Sequence, residues 1–198
     1  MCQSKTFSNL KHGKTIELLF LHAIMGLKSK IANKILNSKL SSANREKKVF
    51  NLDSAQSVGI LWENDQRDAF VKVENELYLS GIKTSGLCYF PLRKAVITEE
   101  IHGFSRKQTS WCLEIPKTKL AEDFIHRKFD ILIDLTGQKS FPIIYITALS
   151  EATFKIGSTS SSANYFDLNI EFQVQPEADQ LATQILYYLK RINKTTIE

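Results

Sequence analysis

Six polar residues stand at the ends of two apolar runs and could carry chemistry. Glu63, Asn64 and Asp65 follow "SVGILW" (57–62), while Asp134, Thr136 and Lys139 end and follow "FDILIDLT" (129–136). In open parallel sheets, ligands lie beyond the carboxyl ends of the strands, where the strand order reverses. The acids among these residues are hard oxygen donors of the kind that hold Mg²⁺. A plainer role is open to both Asp65 and Asp134. Asp65 complements a helix dipole, and Asp134 bonds to the turn after its own strand. No metal or other cofactor is expected.

Other chemistries lack their parts. "ENDQRD" (63–68) has three acids and no glycine, so it is not a loop for a pyrophosphate, which needs close backbone approach and a helix start free of competing charge. There is no GxxxxGK[ST] run and no G-x-S-x-G elbow. His12, His22, His102 and His126 are scattered; His126 precedes Arg127 and Lys128 and reads as a surface residue, leaving His102 as the one site candidate. Cys2, Cys88 and Cys112 have neither disulfide nor zinc spacing. Cys88 and Cys112 read as buried thiols, which suits a reducing, cytoplasmic compartment. "GSTSSSAN" (157–164) is either a phosphate-binding nest or a turn between strands.

Charge gives a second lead. The net charge is +5, but residues 1–50 hold ten Lys and Arg against two acids, and the rest of the chain 16 against 19. The basic candidates for polyanion contact are Lys28, Lys30, Lys34, Lys39, Arg45, Lys47 and Lys48. Such an arm meets RNA, the ribosome or an anionic membrane surface, or is a solvated tail. Within it, Leu27, Ile31 and Ile35 recur every four residues, with Ala32, Leu36 and Leu40 beside them. That is the period of an amphipathic helix. Its stripe lies on lipid, faces phosphates or packs on its own domain.

These residues need elements to hold them. The pattern predicts strands at 57–62, 82–90, 129–136, 152–158 and 165–172, with a further strand or extended segment at 109–115. Helices are predicted at 64–81, 117–128, 141–150 and 176–193, with Asn64 or Asp65 capping the first, Gly81 ending it, and Ser140 and Pro142 opening the third. Residues 91–107 read as irregular. Alternating strands and helices predict an α/β three-layer domain of Rossmann-like type with a mostly parallel sheet. The division expected is a flexible or non-native extension at 1–24, with Met25 as an alternative start, a basic helix and linker at 25–48, and a single α/β domain over 49–198. "TIELLFLHAIMGL" (15–27) is too short and too interrupted to span a bilayer or to serve as a secretory signal.

Residues 128–158, "KFDILIDLTGQKSFPIIYITALSEATFKIGS", resemble the late part of the N-terminal domain of bacterial lipopolysaccharide heptosyltransferases. The resemblance rests on Phe129-Asp130, Ile133-Asp134-Leu135, Ala148-Leu149-Ser150 and Lys155-Ile156-Gly157. It implies a Rossmann-like half-fold. The Gly-Asp turn of that family is replaced here by Glu63-Asn64-Asp65, and its nucleotide-sugar domain has no counterpart, so glycosyl transfer by this chain alone is not expected. Over residues 27–173 the chain also resembles an uncharacterised family of short bacterial proteins, through Ser57 to Trp62, Phe129 to Leu135 and Phe141 to Gly157. That likeness implies the architecture and no reaction. The expectation is a non-enzymatic binding or adaptor protein, cytoplasmic or peripheral to the inner membrane, whose arm contacts RNA, a ribosome or lipid. The alternative is a degenerate glycosyltransferase-like, sugar-phosphate or nucleotide site at the strand ends, completed by a protein partner.

Overall fold

The structure is a computed structural model and describes residues 26–192. A helix, α1, covers residues 26–40. It is followed by β1 (Ser57–Glu63), α2 (Arg67–Leu79), β2 (Lys83–Phe90), β3 (Gly103–Ser105), α3 (Lys119–His126), β4 (Ile131–Asp134), α4 (Phe141–Leu149), β5 (Phe154–Gly157), β6 (Leu168–Asn169) and α5 (Ala178–Arg191). Among the described residues the strands form one six-stranded sheet in the order β3-β2-β1-β4-β5-β6, parallel at every pairing. The expected three-layer α/β class is therefore present. The chain winds outward from β1 in one direction and from β4 in the other, so the switch point lies between them.

Side-chain alternation along the strands builds a core on each face. Val58, Ile60 and Trp62 of β1, with Ile131 and Ile133 of β4, pack against Val73 and Leu77 of α2 and Leu181, Ile185 and Leu189 of α5. Leu61 and Leu132 point the other way, onto Phe124 of α3, Ile143 and Ile146 of α4 and Leu36 of α1. Gly59 belongs to this second face, and a Cβ there would lie 2.7 Å from the Phe129 ring. The ring fills the space that a side chain at position 59 would need. Gly81 ends α2 as expected, with φ +71.

The edges depart from the expected pattern. The edge strand on the β2 side is β3, within the stretch read as irregular, while 109–115 contains no strand. The latter forms only an isolated bridge between Thr109 and Pro116, with Glu114 at φ 54. A three-residue edge strand pairs on one side and buries little beyond Phe104, so it leaves almost no pattern. In contrast, "TSWCLEI" carries apolar residues as a strand would but leaves Trp111 and Cys112 exposed. Cys112 is thus not the buried thiol expected, whereas Cys88 is. The strand predicted at 165–172 is reduced to Leu168–Asn169. The start of α2 is shaped by Glu63 and Gln66 rather than Asn64 or Asp65: the Glu63 amide donates to Gln66 Oε1 at 2.9 Å within a single 3-10 turn.

Candidate functional site

At the switch point the structure brings part of the first candidate set together. Glu63 ends β1, and Asp134 ends β4 beside it, since Leu61 is paired with Asp134 in the β1–β4 ladder. Ser140 occupies the capping position of α4, yet its hydroxyl makes no cap and instead donates to Glu63 Oε1 at 3.0 Å. Burial raises the Glu63 pKa, the Asp65 and Asp134 charges add to this, and the Ser140 hydrogen bond and Lys139 oppose it. Asn64, Asp65 and Lys139 are exposed around this pair.

Asp134 itself is wholly buried and fully engaged. Oδ1 accepts from the Thr136 amide at 2.8 Å and the Thr136 hydroxyl at 2.6 Å, and Oδ2 accepts from Thr147 Oγ1 at 3.0 Å. Burial raises its pKa while these hydrogen bonds lower it, and the net direction is upward. Thr136 Oγ1 also accepts from the Gln138 amide at 3.1 Å. The acid thus knots the β4–α4 turn, the local role its spacing to Thr136 suggests. Gln138 follows at φ 55, and both polar atoms of its buried side chain lack partners among the described residues, as does Trp62 Nε1, whose ring stacks on Phe70 at 4.6 Å.

The basic arm is divided between two surfaces. Leu36 of α1 is buried in the second core with residues of α3 and α4, Leu40 packs against that core, and Ala32 is buried one turn earlier. The other apolar row, Leu27 and Ile31, faces outward at 60% and 44% exposure. Lys30 and Lys34 are exposed with it, and the Lys28 ammonium sits 5.4 Å from the centroid of Trp111, which is 76% exposed. Exposed apolar side chains and lysines thus share the outward side of α1. Lys48 lies over Phe50 at 5.4 Å.

Lys39, Arg45 and Lys47 instead line a cleft of about 870 Å³ between the arm, α3, the end of α4 and the 164–167 segment. Lys39 Nζ is 5.6 Å from the Tyr145 ring centroid. Arg45 bonds Asp167 through both guanidinium nitrogens at 2.7 Å, and Lys47 Nζ lies 3.9 Å from the same carboxylate. Sequence reasoning missed the most unusual group in this cleft. Lys155 is 3% exposed, and its Nζ donates to the carbonyls of Thr147 and Ala148 at 2.7 and 3.0 Å. Burial, helped by the Arg45 charge, pulls its pKa down to about 7. The available signal was a lysine inside the apolar strand run "ATFKIGS".

Of the other candidates, His102 is exposed, and its carbonyl accepts from the Cys88 amide at 2.9 Å. His126 is a surface residue as expected, 2.7 Å from Glu151. His12, His22 and Cys2 lie outside the described residues. The Ser-rich 158–161 run lines a second cavity of about 610 Å³ beyond β5 and β6, with its hydroxyls and amides closing local turns such as Ser161 N to Thr159 Oγ1 at 3.1 Å. Among the described residues no helix is long and apolar enough to cross a membrane, and no group of three or more His, Cys, Asp or Glu could hold a metal ion.

No curated protein and no solved structure matches the chain. A family model does match, over residues 28–192, and so spans α1, the cleft and the whole sheet. Its description is a family of unknown function, DUF6913, and the chain belongs to that family.

Proposed function

We propose that this protein is a non-enzymatic binding protein that docks on an anionic membrane surface through the outer face of α1. The observation that carries this reading is the exposure of Leu27, Ile31 and Trp111 among Lys28, Lys30 and Lys34. An apolar row flanked by lysines matches the boundary between acyl chains and anionic headgroups. Each lysine near such a surface contributes about 1 kcal/mol, and burying the apolar side chains adds about 25 cal/mol per Å². RNA would use the lysines but leave Leu27 and Ile31 in water, which favours lipid as the partner.

The test is flotation of the full chain with phosphatidylglycerol and phosphatidylcholine vesicles at low and high salt. Binding to the anionic vesicles alone, weakened by salt and lost in L27S/I31S/W111S, is the expected result. Binding to neither vesicle, or retention on RNA that ignores L27S/I31S/W111S, overturns the reading.

A second reading keeps a sugar-phosphate or nucleotide site at the switch point, in line with the likeness of residues 128–158 to heptosyltransferase N-terminal domains. What supports it is the Gln138 side chain, buried and unpartnered next to the reversal of strand order. A thermal-shift series with nucleotides and sugar phosphates is its test: a rise lost in Gln138→Ala supports it, and no rise removes it.

A further inference from the structure

The cleft between arm and domain stands apart from the outer face of α1 and from the switch point. Phe154 and Ile156 of β5 enter the first core, so Lys155 between them points to the opposite face, under the end of α4. Its two carbonyl partners belong to the last turns of α4, where a helix favours a cation. Around it, most charges are already matched. Arg45 is held by Asp167, and His126 of α3 by Glu151, which follows α4. Lys39 and Lys47 from the arm and Lys117 before α3 stand on the rim, against Glu122 of α3. The balance is positive, and it lies beside Tyr145 and Tyr165. A cleft of about 870 Å³ with an aromatic wall and a few polar groups suits a small molecule.

We propose that this cleft binds a small organic anion, its carboxylate or phosphate facing Lys39, Lys47 and Lys155 and its body lying against Tyr145 and Tyr165. The site does not depend on membrane docking. A bound anion favours the charged form of Lys155, so affinity strengthens as pH falls through about 7. If the anion raises the amine by about one pKa unit, affinity changes about tenfold across that range.

The test uses the full chain and 8-anilinonaphthalene-1-sulfonate, an anion on an aromatic body, titrated by fluorescence on both sides of neutral pH. The expected result is one saturable site, tighter at the lower pH. K39E/K47E, on the exposed rim, is expected to weaken it about tenfold or more, in line with loss of two charge contacts. Lys155→Met is expected to remove the pH dependence, Lys155→Arg to restore binding without it, and His126→Gln to leave it in place. L27S/I31S/W111S leaves this site intact, which separates its failure from failure of the membrane reading. Displacement by inorganic phosphate or by acetate identifies the anionic group; displacement by neither overturns the proposal, because the ring alone then holds the probe. It is also overturned by absence of a saturable site, or by binding that K39E/K47E leaves unchanged. Should Lys155→Met fail to fold, the rim variant still decides.

Discussion

Arg45 and Asp167, 122 positions apart, form a two-pronged ion pair with both N–O distances at 2.7 Å. Arg45 Nη1 also donates to the carbonyls of Ala152 and Thr153, and the Lys155 amide donates to Asp167 Oδ2 at 2.8 Å. One carboxylate therefore joins the arm, the start of β5 and the segment before β6. Both side chains are largely buried, at 13% and 17% exposure. Burial alone would raise the Asp167 pKa, but the Arg45 hydrogen bonds, the Lys155 amide and the Arg45 and Lys47 charges outweigh it, and the net shift is downward.

Arg45→Ala is expected to cost about 2 kcal/mol, the scale of hydrogen bonds to a charged group. Asp167→Asn is expected to cost a similar amount, and the R45A/D167N double variant less than the sum. Urea unfolding measures all three. An acid held low in the folded state contributes stability above its unfolded value of about 4 and loses it as pH falls through the folded value. The gap between the parent chain and Asp167→Asn is thus expected to close in acid. A gap constant down to about pH 2 would contradict the ion pair as its source.

The legible part of this fold is the part with long-range periodicity. β1, β2, β4, α2 and α5 each show several residues in register with a face, and their positions follow from that. The edges β3 and β6 are two or three residues long, and their existence depends on the neighbouring strand rather than on their own residues. The same limit applies to the candidate site. Asp134 and Thr136 form a local motif two residues apart, so their bond can be anticipated. Lys155 meets α4 backbone, and Arg45 meets Asp167, through tertiary packing that no spacing encodes. The apolar rows of α1 were visible, but only packing decides that 32 and 36 turn inward and 27 and 31 outward.

That choice has a stability consequence. Leu36 is fully buried in the second core, so the arm is packed on its own domain there. Leu36→Ala is expected to cost about 2–4 kcal/mol, the range for truncating a buried leucine. Ile31→Ala, five residues earlier and exposed, is expected to change stability by less than about 0.5 kcal/mol. Equal and negligible effects in thermal or urea unfolding would mean that α1 is a solvated tail.

Asp134→Ala tests the acid as a structural knot. Alanine removes the acceptors of the Thr136 amide, the Thr136 hydroxyl and the Thr147 hydroxyl together, a mismatch that leaves buried donors unpaired. With the group fully buried, the mismatch is expected to cost about 1–3 kcal/mol. A variant as stable as the parent would show that the three hydrogen bonds carry little of the fold.

The two described cysteines are expected to behave oppositely. Burial pushes the Cys88 thiol up to about 12, and the Glu63 and Asp65 charges add to it. Cys112 is exposed. In a Cys2→Ser background, Ellman's reagent is expected to titrate one thiol at once and the second only in denaturant, because the thiolate is the reactive form. Two fast thiols would show that the β2 end opens readily in the native state.

Lys155 makes stability depend on pH in an unusual direction. Its ordinary value of 10.5 falls to about 7 in the fold. Between those values the unfolded chain holds a proton that the folded chain lacks, so stability rises with pH. The slope approaches about 1.4 kcal/mol per pH unit once the folded amine is neutral. Cys88 and Tyr89 are both pushed up to about 12, so their unfolded forms lose protons first and oppose this trend at higher pH. The clean window therefore runs from about 7 to about 8.5, below the onset of thiol ionisation in the unfolded chain. Across it the parent chain is expected to gain about 1–2 kcal/mol relative to Lys155→Met, read from urea midpoints at fixed slope. Parallel curves would mean that the amine stays charged, and that the carbonyls at the end of α4 outweigh the cost of its burial.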